Sequence, residues 1–286
     1  MKMKKILIYG LSNMYGGVEA FILNYVNHLP ENKYTVELII MNRTPQYLGE
    51  KLKREVKIHY VPERIKNPLG YNCRVNEIVK KGNYDILWCN FCTLSDITWL
   101  KAAKKYGIPV RIAHSHNSEN MGSKLVLISH LQHKKVISKY VTHFFACSDV
   151  AGKFMFGDNI VKQNNYCLIN NAIETDKYSY NENIRMKTRL DLKISDKIVI
   201  TNVGRFHFQK NHSFLVNVFS EFYKKYPTSV LLLIGDGELM EEVKNQVKKL
   251  GLTDCVMFLG NRGDVDRLMQ AADLLLMPSR FEGLPV

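Results

Sequence analysis

The sequence predicts an α/β protein built from two doubly wound, Rossmann-like domains that face each other across a cleft. Three observations predict it. Short runs rich in Val, Ile and Leu alternate with amphipathic stretches over almost the whole chain. The runs are continuously apolar, as strands covered on both faces are. The rhythm restarts after Ile173, and 286 residues are enough for about two domains. The domains are taken as residues 1–170 and 171–286, with the polar segment Asn170–Tyr180 as the linker.

In the first domain, Lys5–Tyr9 reads as a strand, followed by a glycine-bearing loop and a helix over Val18–Leu29. Thr35–Met41 is a strand, Gln46–Arg54 a helix, Val56–Val61 a strand, Cys73–Lys81 a helix and Tyr84–Trp88 a strand. Asp96–Lys105 is a helix stopped by Gly107 and Pro109. Val110–Ala113 is a strand, Lys124–Tyr140 one long helix, and His143–Cys147 and Cys167–Ile169 are strands. In the second domain, helices over Ile184–Leu192, His212–Tyr226, Leu239–Leu250 and Val265–Ala271 alternate with strands Lys197–Val203, Ser229–Ile234, Cys255–Leu259 and Asp273–Met277.

Composition narrows the function. Forty Lys and Arg against 27 Asp and Glu give a net charge of +13, which favours an acidic or phosphate-bearing partner. No RNA-binding signature or zinc-finger spacing accompanies the charge, so nucleic acid is not the expected partner. The apolar stretch behind the basic N-terminus is too short for a signal peptide, and no run approaches a membrane span. Six scattered cysteines read as reduced thiols. Cys89-Asn90-Phe91-Cys92 has redox-motif spacing, but its interior lacks the usual Pro or Gly, so packing at a strand end is the preferred reading.

In open parallel sheets, ligands bind beyond the carboxyl ends of strands, so residues just after strands carry the argument. Gly204 to Asn211 follows one strand and opens a helix. Gly204 lets a ligand approach the backbone, and Arg205 and Lys210 place two cations at the same strand end, which suits phosphate; solvated loop charges are the alternative. Glu282 beside Gly283 follows another strand and can accept from ligand hydroxyls while loop amides face a phosphate, or can be a plain turn. Gly16-Gly17 opens the first helix and permits close approach. His114 and His116, two apart on an extended segment, are expected to point to opposite sides and so not to share a metal. One facing the cleft would bind a hydroxyl or shuttle a proton; a structural histidine is the alternative. Glu238 and Asp264 read as helix-start and N-cap residues, so the D-x-D at 264–266 needs no metal.

Taken together, G-G-x-E, H-S-H-N, V-G-R-x-x-x-Q-K-N, G-D-G, F-L-G-x-R and P-S-x-F-E-G-L-P resemble, in order and spacing, the family-4 retaining glycosyltransferases of GT-B fold, in the form found in bacterial exopolysaccharide and capsule enzymes. The resemblance runs from about Lys4 to Val286. It implies an acceptor-side N-terminal domain and a C-terminal domain for a nucleotide-sugar donor, a UDP-sugar being expected. Arg205 and Lys210, with Gly16 and Gly17, would face the donor diphosphate. Glu282 and His116 would act at the donor sugar, Gly283 and Leu284 would form the sugar and phosphate loop, and Asn261 and Arg262 the base loop. The second Glu of the family's E-x7-E pattern would fall beyond Val286, so the second domain is expected to be incomplete, truncated at its C-terminal end.

The implied reaction is metal-independent transfer with retention to a polysaccharide or lipid-linked acceptor. It needs no cofactor, since the nucleotide sugar is a substrate. A cytoplasmic enzyme in peripheral contact with the inner face of the membrane is expected, with Lys134, Lys135 and Lys139 as candidate contacts or merely a solvated face. Two alternatives stand beside it: a GT-B-fold sugar-nucleotide epimerase, which would need acid/base carboxylates, and an inactive nucleotide-sugar-binding fragment.

Overall fold

The computed structural model describes residues 3–119 and 122–282. They form two compact units, one reaching to Ile173 and the other spanning Glu174–Glu282.

The first unit runs β1 (Lys4–Tyr9), α1 (Gly17–His28), β2 (Tyr34–Met41), α2 (Gln46–Lys51), β3 (Lys57–Val61), α3 (Pro68–Gly82), β4 (Ile86–Phe91), α4 (Thr98–Lys105), β5 (Val110–Ser115), α5 (Lys124–Lys134), β6 (His143–Ala146), α6 (Asp149–Phe156) and β7 (Tyr166–Leu168). All pairs are parallel, in the order β3-β2-β1-β4-β5-β6-β7, so the winding direction reverses at β1 and β4. Successive strand residues feed opposite layers. Leu7, Ile39 and Leu87 pack with Val75, Trp99 and Leu100 of α3 and α4. Ile6, Ile8, Leu38 and Ile40 pack with Phe21, Ile22 and Val26 of α1. Burying each of these residues stabilises the fold by about 1.5–3 kcal/mol.

The buried carboxylate of Glu37 interrupts this core. Glu37 of β2 accepts from Tyr84 Oη at 2.6 Å, pairs with Lys5 Nζ at 2.9 Å and hydrogen-bonds His59. Burial opposes its ionisation, but the bonds from His59, Tyr84 and Lys5 outweigh it and bring its pKa down to about 2.

The second unit runs α7 (Thr175–Tyr178), α8 (Glu182–Asp191), β8 (Ile198–Val203), α9 (His212–Lys225), β9 (Ser229–Ile234), α10 (Met240–Lys249), β10 (Val256–Gly260), α11 (Val265–Ala271) and β11 (Leu274–Leu275). Its parallel sheet has the order β10-β9-β8-β11. Ile200, Leu231 and Leu233 pack on Leu215, Phe219, Val243 and Val247 of α9 and α10. Asp273 ties α8 to the sheet, taking Arg185, Arg189 Nη2 at 2.6 Å and Val199 N at 2.7 Å.

The expected parallel α/β pattern is present in both units, with differences that have local causes. The helix expected over Lys124–Tyr140 ends at Lys134, and Ile137–Lys139 is a separate 3-10 turn that seats Ile137 fully inside the core. Lys134 turns back to donate to the carbonyls of Lys153 and Phe154 at 2.9 and 2.6 Å, so it ties α5 to α6 instead of facing a membrane. Helix α6 was not foreseen; it is short and carries Gly152, but Ser148 caps it by accepting from Ala151 N at 3.2 Å. The segment expected as linker contains α7. Strand β11 is two residues long instead of the expected Asp273–Met277, because it pairs only with β8 through Leu274 and Leu275. Strands β4 and β5 run further than expected, to Phe91 and Ser115. Cys89 therefore lies inside a strand, fully buried, where burial pushes its thiol pKa up; this is the opposite of a redox-active thiolate.

Candidate active site

In the second unit, the loop after β8 is built around close backbone approach. Gly204 N donates to Ile234 O at 2.9 Å, and Phe206 N donates to Asp236 O at 3.0 Å, so the loops after β8 and β9 run side by side. Gly235 has φ +136°, and a Cβ there would lie 2.1 Å from Gly204 O; only glycine permits this crossing. Phe206 is fully buried and stacks on His212 of α9 at 4.1 Å, which anchors the loop from below. Its neighbour Arg205 is left at the surface, its side chain 54% exposed and paired with Glu238 at 3.2 Å.

Lys210 lies across Gly204; a Cβ on Gly204 would sit 3.2 Å from Lys210 Cδ. Its Nζ donates to Glu282 Oε1 at 2.7 Å, with both side chains mostly covered. Gln209 Nε2 donates to Phe281 O at 2.9 Å and to Glu282 Oε2 at 3.3 Å, Arg280 N donates to Gln209 O at 2.8 Å, and Asn211 Nδ2 donates to Pro278 O at 3.2 Å. The loops after β8 and β11 are thus laced together, and Lys210 and Glu282 meet at their junction.

Asn261 and Arg262 follow β10. The Arg262 guanidinium is held by both carboxylate oxygens of Asp264 at 2.8 Å. Asp264 stands at the N-cap of α11 as expected, but its side chain makes no capping bond, because its oxygens are committed to Arg262. The helix-start reading of Glu238 is corrected: α10 starts at Met240, and Glu238 instead faces Arg205 and His207. Gly283 and Leu284 lie outside the described residues.

In the first unit, Gly16 caps α1 and Gly17 is its first residue. A Cβ on Gly17 would meet nothing within 4 Å, so packing does not demand glycine there. The loop before it is pinned at Ser12, whose N donates to Glu19 Oε1 at 3.0 Å and whose O accepts from Tyr47 Oη at 2.6 Å. His114 and His116 do not point to opposite sides: their rings stack at 4.2 Å. Side chains alternate along extended backbone, so residues two apart share a face, and the contrary expectation is overturned. His114 is fully buried between Trp88, Phe21 and Phe145, and neither ring nitrogen has a hydrogen-bond partner among the described residues. His116 hydrogen-bonds Asn90 Oδ1 through Nε2 at 2.9 Å, and burial lowers its pKa to about 3. It is therefore a neutral imidazole near pH 7, suited to hydrogen bonding and not to proton shuttling. Among the described residues no group of three or more His, Cys, Asp or Glu side chains could hold a metal ion.

The structure brings Lys210 together with Glu282, and places Gly16, Gly17 and His116 in the other unit. Sequence reasoning missed Gln209, Asn90 and Tyr47 as site-shaping residues. Gln209 stood inside the quoted V-G-R-x-x-x-Q-K-N motif; Asn90 was visible as a lone amide in an apolar strand.

Comparison with known proteins agrees with this architecture. The fold is that of solved GT-B proteins: the structure of Anabaena HepE in complex with UDP and glucose superposes with a TM-score of 0.80 at 19% identity, covering 98% of this chain and 76% of that one. EpsF of Bacillus subtilis (strain 168) is 29% identical over 293 residues, 99% of this chain and 75% of EpsF. The Escherichia coli UDP-Gal:alpha-D-GlcNAc-diphosphoundecaprenol alpha-1,3-galactosyltransferase is 25% identical over 294 residues, again 99% and 75%. Residues 185–286 match the family model described as Glycosyl transferases group 1, and residues 15–177 match Glycosyltransferase Family 4. The chain belongs to glycosyltransferase family 4 and is a glycosyltransferase.

Proposed function

We propose that this enzyme transfers a sugar from a UDP-sugar to a lipid-linked or saccharide acceptor in exopolysaccharide or capsule assembly, with retention at the anomeric carbon. The observation that carries the proposal is the junction of Lys210, Gly204 and Glu282, with Arg205 beside it. Breaking a nucleotide-sugar bond builds negative charge on the diphosphate, and preorganised cations stabilise it. Arg205 and Lys210 supply that charge, so the proposal assigns no metal and no cofactor to the reaction. Glu282 would exchange Lys210 for a donor-sugar hydroxyl when the diphosphate arrives. Gly16 and Gly17 would let the α1 N-terminus approach the diphosphate, Asn261 and Arg262 would flank the base, and His116 would contact the sugar. The HepE structure contains UDP and glucose, and the Escherichia coli relative is named for a diphosphoundecaprenol acceptor; both support the substrate classes.

Peripheral contact with the inner face of the cytoplasmic membrane belongs to the same proposal. Helix α5 exposes Leu125, Ile128 and Leu131 at helical spacing, between exposed Lys124 and Lys135. No helix among the described residues is long and apolar enough to cross a membrane. The epimerase reading is not favoured, because the matched family models and the named relatives are glycosyltransferases. The test is incubation of the full-length enzyme with radiolabelled UDP-glucose, UDP-galactose and UDP-N-acetylglucosamine and a bacterial lipid extract. Label moving into the lipid or glycan fraction supports the proposal. Neither transfer nor hydrolysis with any donor rejects it, and UDP binding without turnover would favour an inactive binding protein.

A further inference from the structure

Asn90 is a buried amide at the end of β4, 4% exposed, between the ends of β1 and β5. Its Nδ2 donates to Tyr9 O at 3.2 Å. A carbonyl only accepts, so the amide nitrogen must face Tyr9 and the amide oxygen must face the other way, toward His116 Nε2 at 2.9 Å. That oxygen also only accepts, so the proton of His116 sits on Nε2. Room for the amide comes from Gly10, which has φ +132° and where a Cβ would fall 2.7 Å from Asn90 Cβ. The imidazole plane is held by His114 stacked at 4.2 Å, by Phe21 edge-on at 4.8 Å, and by His116 N donating to Phe91 O at 2.9 Å. His116 Nδ1 makes no hydrogen bond among the described residues.

We propose that Asn90 is a positioning residue that fixes His116 as the Nε2–H tautomer, so that the Nδ1 lone pair accepts a hydrogen bond from a hydroxyl of the bound sugar. The ring stays neutral near pH 7, since burial lowers its pKa to about 3. His116 then cannot donate to the diphosphate or act as the general acid; its contribution is selection of a ligand that offers an O–H. The tautomer assignment stands on the structure alone, and its use toward sugar rests on the function proposed above.

The test is two-bond 1H–15N correlation of the histidine side chains in the 15N-labelled full chain, with His116 assigned by its loss in His116→Gln. The expected spectrum has His116 Nε2 protonated and Nδ1 unprotonated at about pH 6 and about pH 8. A proton on Nδ1, or on both nitrogens, overturns the assignment. In Asn90→Leu the preference should be lost, with both nitrogens moving toward averaged shifts; an unchanged Nε2–H tautomer there would show that Asn90 does not set it. If that variant does not fold, the wild-type spectrum still decides the tautomer. UDP-glucose should shift Nδ1 where UDP alone does not, and Asn90→Leu should weaken UDP-glucose binding about tenfold while leaving UDP binding unchanged. Bound UDP-glucose that leaves Nδ1 unmoved overturns the acceptor role. Failure of UDP-glucose to bind at all counts against the donor assignment and leaves the tautomer result intact.

Discussion

Replacing Lys210 by Met keeps the length of the side chain and its packing over Gly204 while removing the charge. In the free protein Lys210 Nζ lies 2.7 Å from Glu282 Oε1, the two side chains being 20% and 23% exposed. A pair this covered lies between a surface bridge, which contributes about 0–1 kcal/mol, and a buried one, whose breakage costs about 3–5 kcal/mol. Lys210→Met should therefore destabilise the protein by about 1–2 kcal/mol, and a Glu282→Gln partner change should recover most of that. UDP binding should respond differently. A charge-assisted hydrogen bond to the diphosphate is worth about 1.5–3 kcal/mol, so the dissociation constant for UDP should rise roughly 10- to 150-fold. In the single variant Glu282 is also left unneutralised beside the incoming phosphates, so Lys210→Met should bind UDP more weakly than Lys210→Met/Glu282→Gln. Isothermal titration calorimetry gives the affinities and thermal melting the stability. A UDP affinity for Lys210→Met within about twofold of wild type, in a protein that melts normally, would refute the reasoning.

Three further outcomes are expected. Gly17→Ala should leave the melting temperature unchanged or raise it slightly, because a Cβ meets nothing within 4 Å, yet weaken nucleotide-sugar binding if a diphosphate approaches that backbone; parallel melting and calorimetry separate the two effects. Glu37→Gln should cost on the order of 3 kcal/mol at neutral pH, from the lowering of its pKa to about 2. That contribution is complete above the ordinary carboxylate range and is lost as pH falls toward about 2, so urea melts of the two proteins should converge in acid. Burial holds His116 at about 3 and His114 well below its ordinary value. Below about pH 6.5 the unfolded chain takes up protons that these rings refuse, so stability should fall with falling pH by roughly 1.4 kcal/mol per unit for each ring. A urea midpoint independent of pH between about 7 and 5 would contradict this, and His116→Gln should make the decline shallower.

How much of this was legible in the sequence varied with the kind of residue. Strand β9 and helix α11 were read to the residue: Val230–Ile234 is an unbroken apolar run behind Ser229, and Val265–Ala271 begins directly after Asp264 at its N-cap. Helix α6 escaped because its eight residues include Gly152 and its cap is a single serine. The break after Lys134 escaped because helical spacing continues through it; only the tertiary demand of burying Ile137 turns the backbone. Arg205, Lys210 and Glu282 stood out by their positions after strands, but their partners in the structure did not. Whether Arg205 faces Glu238 or Lys210 meets Glu282 depends on loops brought together by β-sheet order, which local sequence does not encode. The histidine pair was misjudged for a simpler reason: on extended backbone residues two apart lie on one face, and His114 and His116 stack accordingly.

A crystal structure of the protein soaked with UDP examines the phosphate-binding assignment without reference to acceptor or turnover. The expected result places the pyrophosphate over Gly204, with Lys210 Nζ turned from Glu282 to within about 3 Å of a phosphate oxygen. Nucleotide bound elsewhere, with Lys210 still seated on Glu282, would contradict the account.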